Sequence, residues 1–199
     1  EAPAFEDRVL HHALNNIVEP LFERKFIYDS FACRKGKGTH AAVSRLQQFL
    51  RRARGAWGKV YVLQADISKY FPSIVHSSLL SQISRTIRES KVVDIWHRII
   101  AWFRDKVGLP IGALTSQLSA NVNLDPFDHH VKDELAEPFY IRYMDDFLIL
   151  GPQKRILWDT LKRLRQWLNC NLGLDLNAKS RVYAAGQGVD FAGYRTWST

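Results

Sequence analysis

The spacing of apolar residues along the chain predicts a series of helices. Apolar positions recur every three or four residues, as on one face of an α-helix, over residues 7–26, 39–50, 79–87, 93–103 and 154–172, and TSQLSANVNL (115–124) begins a further helix. Pro20 is expected to interrupt the first helix after Glu19, because proline lacks a backbone donor. Thr39 is the expected N-cap of the second helix, and Gly173 is the expected C-cap of the last.

Shorter apolar runs predict strands. These runs are VYVLQAD (60–66), FYIRYM (139–144), FLILG (147–151), LDLNAKSRVY (174–183) and VDFAGYRTW (189–197). Only Asp145 and Asp146 separate the second run from the third, which predicts a tight hairpin, and the last two runs flank a GQG turn. Because helices and antiparallel strands alternate without a regular βαβ repeat, the expected fold class is α+β.

The composition is that of an ordinary globular domain. Of the 199 residues, 46% are hydrophobic and 24% are charged, which excludes a mainly disordered chain. No apolar run approaches the ~18 residues of a membrane span, so we expect no membrane association. The two cysteines, Cys33 and Cys170, exclude a disulfide scaffold and a four-thiolate metal site. They fit a reducing, cytoplasmic compartment.

The basic residues are concentrated in one part of the sequence. The formal net charge is +8, and the segment from Arg24 to Lys59 holds ten Lys or Arg residues and one acid, Asp29. A basic globular protein most often meets a polyanion such as nucleic acid. A basic face that is merely solvated explains the composition equally well, so both interpretations stay open at this point.

Three carboxylates supply candidate chemistry. Asp145 and Asp146 are adjacent at the predicted hairpin, and Asp66 ends the VYVLQAD strand. If these strands are neighbours, Asp66 and Asp145 can share a pair of hard divalent cations, and two such ions support phosphoryl transfer. Taken alone, an Asp-Asp pair in a turn is more often structural, because aspartate favours turn conformations. The apolar flanks of the pair favour a metal site.

Seven ordered segments resemble the sequence motifs of reverse transcriptases. DRVLHHAL (7–14) and FACRKGKGTHAA (31–42) resemble the fingers motifs, and QADISKYF (64–71), GLPIGALTSQLSAN (108–121), YMDD (143–146), LNAKS (176–180) and DFAGYR (190–195) resemble successive palm motifs. The resemblance implies a right-hand polymerase fold for a single domain over residues 1–199. It places the fingers at about 1–60 and 75–110 and the palm, an antiparallel sheet with packed helices, at about 60–74 and 111–199.

The resemblance also implies roles for individual residues. Asp66, Asp145 and Asp146 match the catalytic carboxylates that hold two Mg²⁺ ions, with Mn²⁺ as a possible substitute, and the Ile67 carbonyl would be a further ligand. Lys179 matches a basic residue near the leaving pyrophosphate. The nucleotide-binding positions are Arg34, Lys35, Lys37, Ile67, the steric-gate aromatic Tyr70, Ile111, Gly112 and Gln117. Phe191, Gly193 and Tyr194 fall in the motif that grips the primer.

Two residues of the second palm motif point to a subgroup. Ile111 precedes Gly112 where most relatives have Gln, and Gln117 follows Ser116 where most have Pro. This pattern resembles the reverse transcriptases of diversity-generating retroelements, which make error-prone cDNA. An aliphatic Ile111 cannot hydrogen-bond a nucleotide, and we hypothesise that this lowers fidelity. A group II intron-like or retron reverse transcriptase, and a non-catalytic RNA-binding scaffold, are the alternatives.

The resemblance also implies binding partners, and it indicates that a thumb is absent. The expected partners are a template RNA, a DNA or RNA primer, deoxynucleoside triphosphates and an accessory protein. A helical thumb normally follows the primer-grip motif, whereas this sequence ends a few residues after DFAGYR. We therefore expect a fingers–palm core in which the thumb is absent. The expected location is the cytoplasm of a prokaryote.

Overall fold

The structure is a computed structural model that describes residues 5–101, 106–110 and 113–197. Its helices are α1 (Phe5–Glu23), α2 (Thr39–Trp57), α3 (Tyr70–Ser73), α4 (His76–Thr86), α5 (Ser90–Ala101), α6 (Leu114–His129) and α7 (Lys154–Leu172). Its strands are β1 (Tyr61–Asp66), β2 (Tyr140–Tyr143), β3 (Asp146–Gly151), β4 (Arg181–Ala184), β5 (Val189–Phe191) and β6 (Tyr194–Thr196). The expected α+β class is confirmed.

A four-stranded antiparallel sheet has the strand order β2-β3-β1-β4. Strand β3 is buried on both faces from Phe147 to Gly151, as its continuous hydrophobic run predicts, whereas β1 is half-buried at Tyr61, Gln64 and Asp66. Strand β1 pairs with β3 from Tyr61 opposite Gly151 to Asp66 opposite Asp146. The predicted hairpin of β2 and β3 is confirmed, with Tyr143 opposite Asp146.

The chain divides into two compact units. The first consists of the described residues of Glu1–Phe26, Lys69–Pro126 and Leu172–Leu174. The second consists of Ile27–Ser68, Phe127–Asn171 and the described part of Asp175–Thr199, and it contains the sheet. The assignment of fingers and palm to stretches of the sequence stays a prediction.

The core of the second unit lies between α2 and the sheet. Helix α2 places its apolar stripe, including Leu46, Phe49 and Leu50, in one cluster with residues of the strands. The Phe49 and Phe139 rings meet edge to face at 5.4 Å between centroids, a geometry that aromatic pairs prefer. This packing explains why α2 has a basic outer face and a wholly apolar inner face.

The first unit contains a buried hydrogen bond between Trp96 and Ser119. Trp96 is fully buried on α5, and its indole N–H donates to the Ser119 hydroxyl at 2.8 Å. The Phe22 ring packs edge to face against Trp96 at 5.7 Å. Among the described residues, no helix combines the length and apolar character that crossing a membrane requires.

Three local predictions were wrong. Pro20 does not end α1, which continues to Glu23; the proline lies in the last turn, where few backbone bonds remain to be lost. Thr39 does not cap α2, because its hydroxyl is 3.1 Å from the Tyr143 hydroxyl, and Gly38 takes the cap position. Gly173 does adopt the expected left-handed conformation after α7, with φ of 65°.

The third error concerns the last apolar run. Strands β4 and β5 do flank the GQG segment as expected, and a short 3₁₀ turn, Ala185–Gln187, lies between them. The run VDFAGYRTW, however, was expected as one strand and forms the paired strands β5 and β6. Their hairpin turn is Ala192–Gly193, where both residues have positive φ, as two-residue hairpin turns of type I′ require.

Candidate active site

Antiparallel pairing brings two of the predicted carboxylates to one end of the sheet. Asp66 is the last residue of β1 and lies directly opposite Asp146, the first residue of β3. The third, Asp145, lies in the turn before β3, and its carbonyl accepts a hydrogen bond from the Ile67 N–H at 3.2 Å. The expected convergence of Asp66 with the hairpin tip is therefore present.

The hairpin turn begins one residue earlier than the sequence predicted. Met144 and Asp145 are the two turn residues, and Asp146 already belongs to β3. Met144 has a φ of 56°, in the left-handed region that residues with a side chain rarely adopt. Asp145 thus lies in the turn and Asp146 begins β3, both at the end of the sheet where Asp66 ends β1.

Asp145 and Asp146 have raised pKa values. Burial raises the pKa of Asp145 and the neighbouring Asp66 carboxylate raises it further, while Arg142 lowers it. Although Asp146 reaches solvent, desolvation by the surrounding protein raises its pKa to about 6, with contributions from the charges of Asp66 and Asp145. A divalent cation would neutralise the negative charge that these neighbouring carboxylates concentrate.

The donor set fits a hard divalent cation. Mg²⁺ binds carboxylate and carbonyl oxygens, and Asp66, Asp145 and Asp146 supply such oxygens side by side. In the described part of the chain, no three His, Cys, Asp or Glu side chains lie close enough together to hold a metal ion as they stand. The chemistry of the donors fits Mg²⁺, whereas their side chains do not form a closed ligand set.

An open cleft lies beside these carboxylates. Its volume is about 580 Å³, and its lining consists of Gln64, Ala65, Asp66, Asp146, Asn177, Lys179, Ser180 and Arg181. Asn177 fixes Asp66, because its side-chain amide donates to the Asp66 carboxylate at 3.1 Å and its backbone N–H donates to the Asp66 carbonyl at 2.7 Å. Lys179 is exposed in the cleft, and its backbone N–H donates to the Asn177 side chain at 3.0 Å.

The basic loop of the second unit is partly occupied by internal contacts. The Arg34 guanidinium donates to the carbonyls of Ile27 and Ser30, both at 2.8 Å. The Lys37 ammonium donates to the Tyr28 carbonyl at 2.7 Å and lies 3.4 Å from the centre of the Tyr28 ring. Lys35 is exposed. Roles of these three residues in nucleotide binding stay predictions.

The predicted primer-grip residues lie on the β5–β6 hairpin. Phe191 is buried in the core of the second unit, Gly193 is in the turn and Tyr194 is exposed. Gln64 connects this hairpin to β1, because its side-chain amide donates to the Asp190 carbonyl at 2.9 Å. The Gln64 side-chain oxygen in turn accepts from the Tyr183 hydroxyl at 2.9 Å. No local pattern in the sequence predicts this polar connection.

The remaining predicted positions belong to the first unit or lie outside the described residues. Tyr70 is buried in α3, where its hydroxyl donates to the Ala120 carbonyl at 2.6 Å. Gln117 is half-buried on α6. Ile111 and Gly112 lie outside the described residues. Their roles in nucleotide binding all stay predictions.

A family model described as "Reverse transcriptase (RNA-dependent DNA polymerase)" matches residues 2–196. The chain belongs to the reverse transcriptase family. The motif order, the antiparallel sheet and the converging carboxylates agree with that membership.

Relatives of this reverse transcriptase include intron-encoded proteins. Protein YkfC of Escherichia coli is 24% identical over 97% of this chain and 61% of its own length. The group II intron-encoded protein LtrA of Lactococcus lactis is 26% identical over 65% of this chain and 22% of its own. The chain thus spans less than two thirds of these relatives.

Solved telomerase structures have a similar fold. Apo telomerase from Candida tropicalis superimposes with a TM-score of 0.68 at 11% identity, over 94% of this chain and 39% of the telomerase chain. Telomerase from Candida albicans, with a fragment of telomeric RNA, gives 0.65 at 12% identity over 94% of this chain and 35% of its own. This likeness confirms the expected right-hand polymerase fold for the reverse transcriptase.

A buried ion pair behind the β2–β3 hairpin was not predicted from the sequence. Arg142 and Asp128 are fully buried, and their side chains form a two-point contact, Nε to Oδ1 at 2.7 Å and Nη2 to Oδ2 at 2.6 Å. The Tyr140 hydroxyl donates to the same Asp128 carboxylate at 2.6 Å. Arg142 also donates to the Met144 carbonyl at 2.8 Å, so the pair holds the strained turn of the reverse transcriptase.

We expect Arg142→Gln to lower the free energy of unfolding by about 3–5 kcal/mol, because it leaves Asp128 as an uncompensated buried charge. Urea unfolding measures the change. The matched control is Arg165→Gln, which removes an exposed ion pair with Asp175 and should cost about 0–1 kcal/mol. Equal losses in the two variants would contradict a structural role for the buried pair.

We expect Asp146→Asn to stabilise the metal-free reverse transcriptase at pH 7. The raised pKa of about 6 means that ionised Asp146 disfavours the folded state above pH 6. Because both states hold the proton well below the ordinary value near 4, the penalty should fade as pH drops from 6 towards 4. Urea unfolding in EDTA at several pH values measures this. A stability gain that is independent of pH would contradict the assignment.

Proposed function

We propose that the chain catalyses RNA-templated DNA synthesis by two-metal nucleotidyl transfer. The observation that carries the proposal is the convergence of Asp66, Asp145 and Asp146 at one end of the sheet, with the pKa values of the latter two raised. Membership of the reverse transcriptase family supports the same chemistry. The expected partners are a template RNA, a DNA or RNA primer and deoxynucleoside triphosphates.

The carboxylates and the Ile67 carbonyl are the proposed ligands of two Mg²⁺ ions, with Mn²⁺ as a substitute. When bound, such ions lower the pKa of an attacking hydroxyl and neutralise charge on phosphate oxygens. Asn177 keeps Asp66 in place through two hydrogen bonds. The Ile67 N–H holds the Asp145 carbonyl, which links the end of β1 to the turn.

Basic and aromatic residues are the proposed contacts of the nucleotide and primer. Lys179 is exposed in the cleft that Asp66 and Asp146 line, where it can neutralise or protonate a leaving pyrophosphate. Arg34, Lys35 and Lys37 of the basic loop are the proposed contacts of a triphosphate, because Arg can bind phosphate bidentately and Lys acts as a mobile charge. Tyr194 on the β5–β6 hairpin is exposed for contact with a primer.

Tyr70 is the proposed sugar-selecting residue, as the resemblance implies. The Tyr70 ring is buried and its hydroxyl is bound to the Ala120 carbonyl, while Asn123 donates to the same hydroxyl at 3.4 Å. These two contacts fix the ring, and a fixed ring can exclude a ribose 2′-hydroxyl by steric collision. Gln117, Ile111 and Gly112 are proposed to lie near the nucleotide, as the resemblance implies.

Different observations support two subtypes of reverse transcriptase, the diversity-generating one and the group II intron-like one. The IGALTSQ segment (111–117) supports error-prone cDNA synthesis for a diversity-generating retroelement. The relatives LtrA and nuclear intron maturase 2 of Arabidopsis thaliana, which is 28% identical over 46% of this chain and 12% of its own, support a group II intron-like enzyme. The relatives in E. coli and L. lactis support a prokaryotic origin. The cytoplasmic location and the accessory protein stay predictions.

We expect Asp145→Asn to abolish primer extension on an RNA template with Mg²⁺, because it removes a proposed metal ligand. Gel-resolved extension of a labelled DNA primer measures the loss, which should exceed about a thousandfold. Asp159→Asn, an exposed change on α7, is the control and should retain full activity. If the original protein extends no primer yet binds the RNA, the scaffold alternative is correct and the proposed function is wrong.

We expect the cDNA of the original protein to carry errors concentrated at template adenines, and Ile111→Gln to reduce them several-fold. The physical reason is that Gln can hydrogen-bond the nucleotide and restrain its orientation, whereas Ile cannot. Deep sequencing of products from one RNA template measures the error spectrum. A low, uniform error rate in the original protein would favour the group II intron-like subtype, and an unchanged spectrum in the variant would contradict the role of Ile111.

A further inference from the structure

The end of the sheet opposite the carboxylates is basic. Strand β1 runs from Tyr61, opposite Gly151 and Ala184, to Asp66, opposite Asp146. At about 3.3 Å per residue, Tyr61 lies roughly 17 Å from Asp66. The sheet of the second unit therefore has its crowded carboxylates at one end and a separate surface around Tyr61 at the other.

Two lysines contact the Tyr61 ring. The Lys59 ammonium lies 5.5 Å from the ring centre and the Lys154 ammonium lies 5.8 Å from it, both within the range of a cation–π interaction. Lys59 precedes β1 and Lys154 begins α7, so the cluster joins two separate segments of the chain. The ring itself is half-buried, and both lysines are exposed.

A second cleft continues this surface. Its volume is about 400 Å³, and its lining consists of Arg54, Gly58, Lys59, Val60, Ala184, Ala185 and Gly186. The lining residues other than Arg54 and Lys59 are small or apolar, so the chain backbone is accessible along the cleft. Farther along the same end of the sheet, the Arg52 guanidinium lies 5.9 Å from the Phe139 ring centre.

We propose that this surface, made of Arg54, Lys59, Tyr61 and Lys154 and called here the basic end, binds a single-stranded segment of nucleic acid. Cationic side chains that follow a groove beside a partly exposed aromatic ring suit a single strand, because the cations bind phosphates and an unpaired base stacks on the ring. A duplex offers no unpaired base to Tyr61. An acidic protein would use the charges but not the ring.

This proposal rests on the proposed function in one respect: that function identifies the bound polyanion as a nucleic acid template. A template that is being copied extends beyond the cleft that holds the carboxylates, and a second contact on its unpaired part would retain it. The basic end adds no group to the chemistry, since roughly 17 Å separate Tyr61 from Asp66. It is thus a binding surface rather than a part of the catalytic machinery.

The test uses the triple variant Arg54→Glu/Lys59→Glu/Lys154→Glu. The probe is a fluorescent 12-nucleotide RNA without secondary structure, with an excess of unlabelled short template–primer duplex present to occupy the carboxylate cleft. We expect anisotropy to report RNA binding at least about tenfold weaker in the variant. The slope of log K against log salt should fall by about 2, since each lost phosphate contact on a single strand accounts for ~0.7.

The matched control is Arg88→Glu/Lys91→Glu/Arg98→Glu, which makes the same charge change at exposed positions of the first unit. It should bind the probe as the original protein does. Tyr61→Leu should weaken binding at least about fivefold, because it removes the stacking ring without changing the charge. Tyr61→Trp should preserve binding, because it keeps an aromatic ring on which a base can stack. Equal losses in the two triple variants, or binding unaffected by Tyr61→Leu, would overturn the proposal.

Primer extension on a short template separates this proposal from the proposed function. The basic-end variant should extend a primer on a template with a one-nucleotide overhang at the original rate, because that substrate does not reach Tyr61. If the original protein extends nothing but still binds the probe through the basic end, the proposed function fails and this proposal stands. Preferential binding of poly-glutamate over the RNA would overturn it in favour of an acidic protein partner.

Discussion

The buried contact between Arg142 and Asp128 is the interaction on which the candidate active site depends. A guanidinium and a carboxylate that are both removed from water stabilise each other only when their hydrogen-bonding capacity is satisfied. Here Tyr140 and the Met144 carbonyl provide the additional partners. One side chain thereby anchors the strained turn that holds Asp145, and the pair links α6, β2 and the hairpin tip.

At the carboxylate end of the sheet, the proposed function opposes stability. Asp66, Asp145 and Asp146 are held close although their charges repel, and the raised pKa of Asp146 reflects its desolvation together with that repulsion. Elements around the three residues offset it: Asn177 holds Asp66, and the apolar core beneath the strands resists deformation. A site that is unfavourable when empty binds cations more readily, because binding removes repulsion as well as adding contacts.

The strands of the sheet carry different chemistry at their two ends. At one end lie the carboxylates, the cleft and Lys179, while the β5–β6 hairpin is attached through Gln64. At the other end, lysines surround Tyr61. Because antiparallel strands run between the two ends as rigid, buried elements, each surface keeps its geometry independently of the other. Of the ten basic residues between Arg24 and Lys59, five lie on α2 or in the turn that follows it, and the other five precede α2.

Local patterns in the sequence were sufficient to predict most of the helices and strands and to single out the three carboxylates. Apolar periodicity predicted α7 and the β2–β3 hairpin, because burial of one helix face and of central strands imposes that spacing. The patterns could not show that Arg142 meets Asp128, that Gln64 reaches Asp190, or that Tyr61 lies between Lys59 and Lys154. Apart from the contact between Lys59 and Tyr61, these contacts join residues that are far apart in the chain. Only the register of the sheet and the packing of helices on it decide which distant polar groups meet.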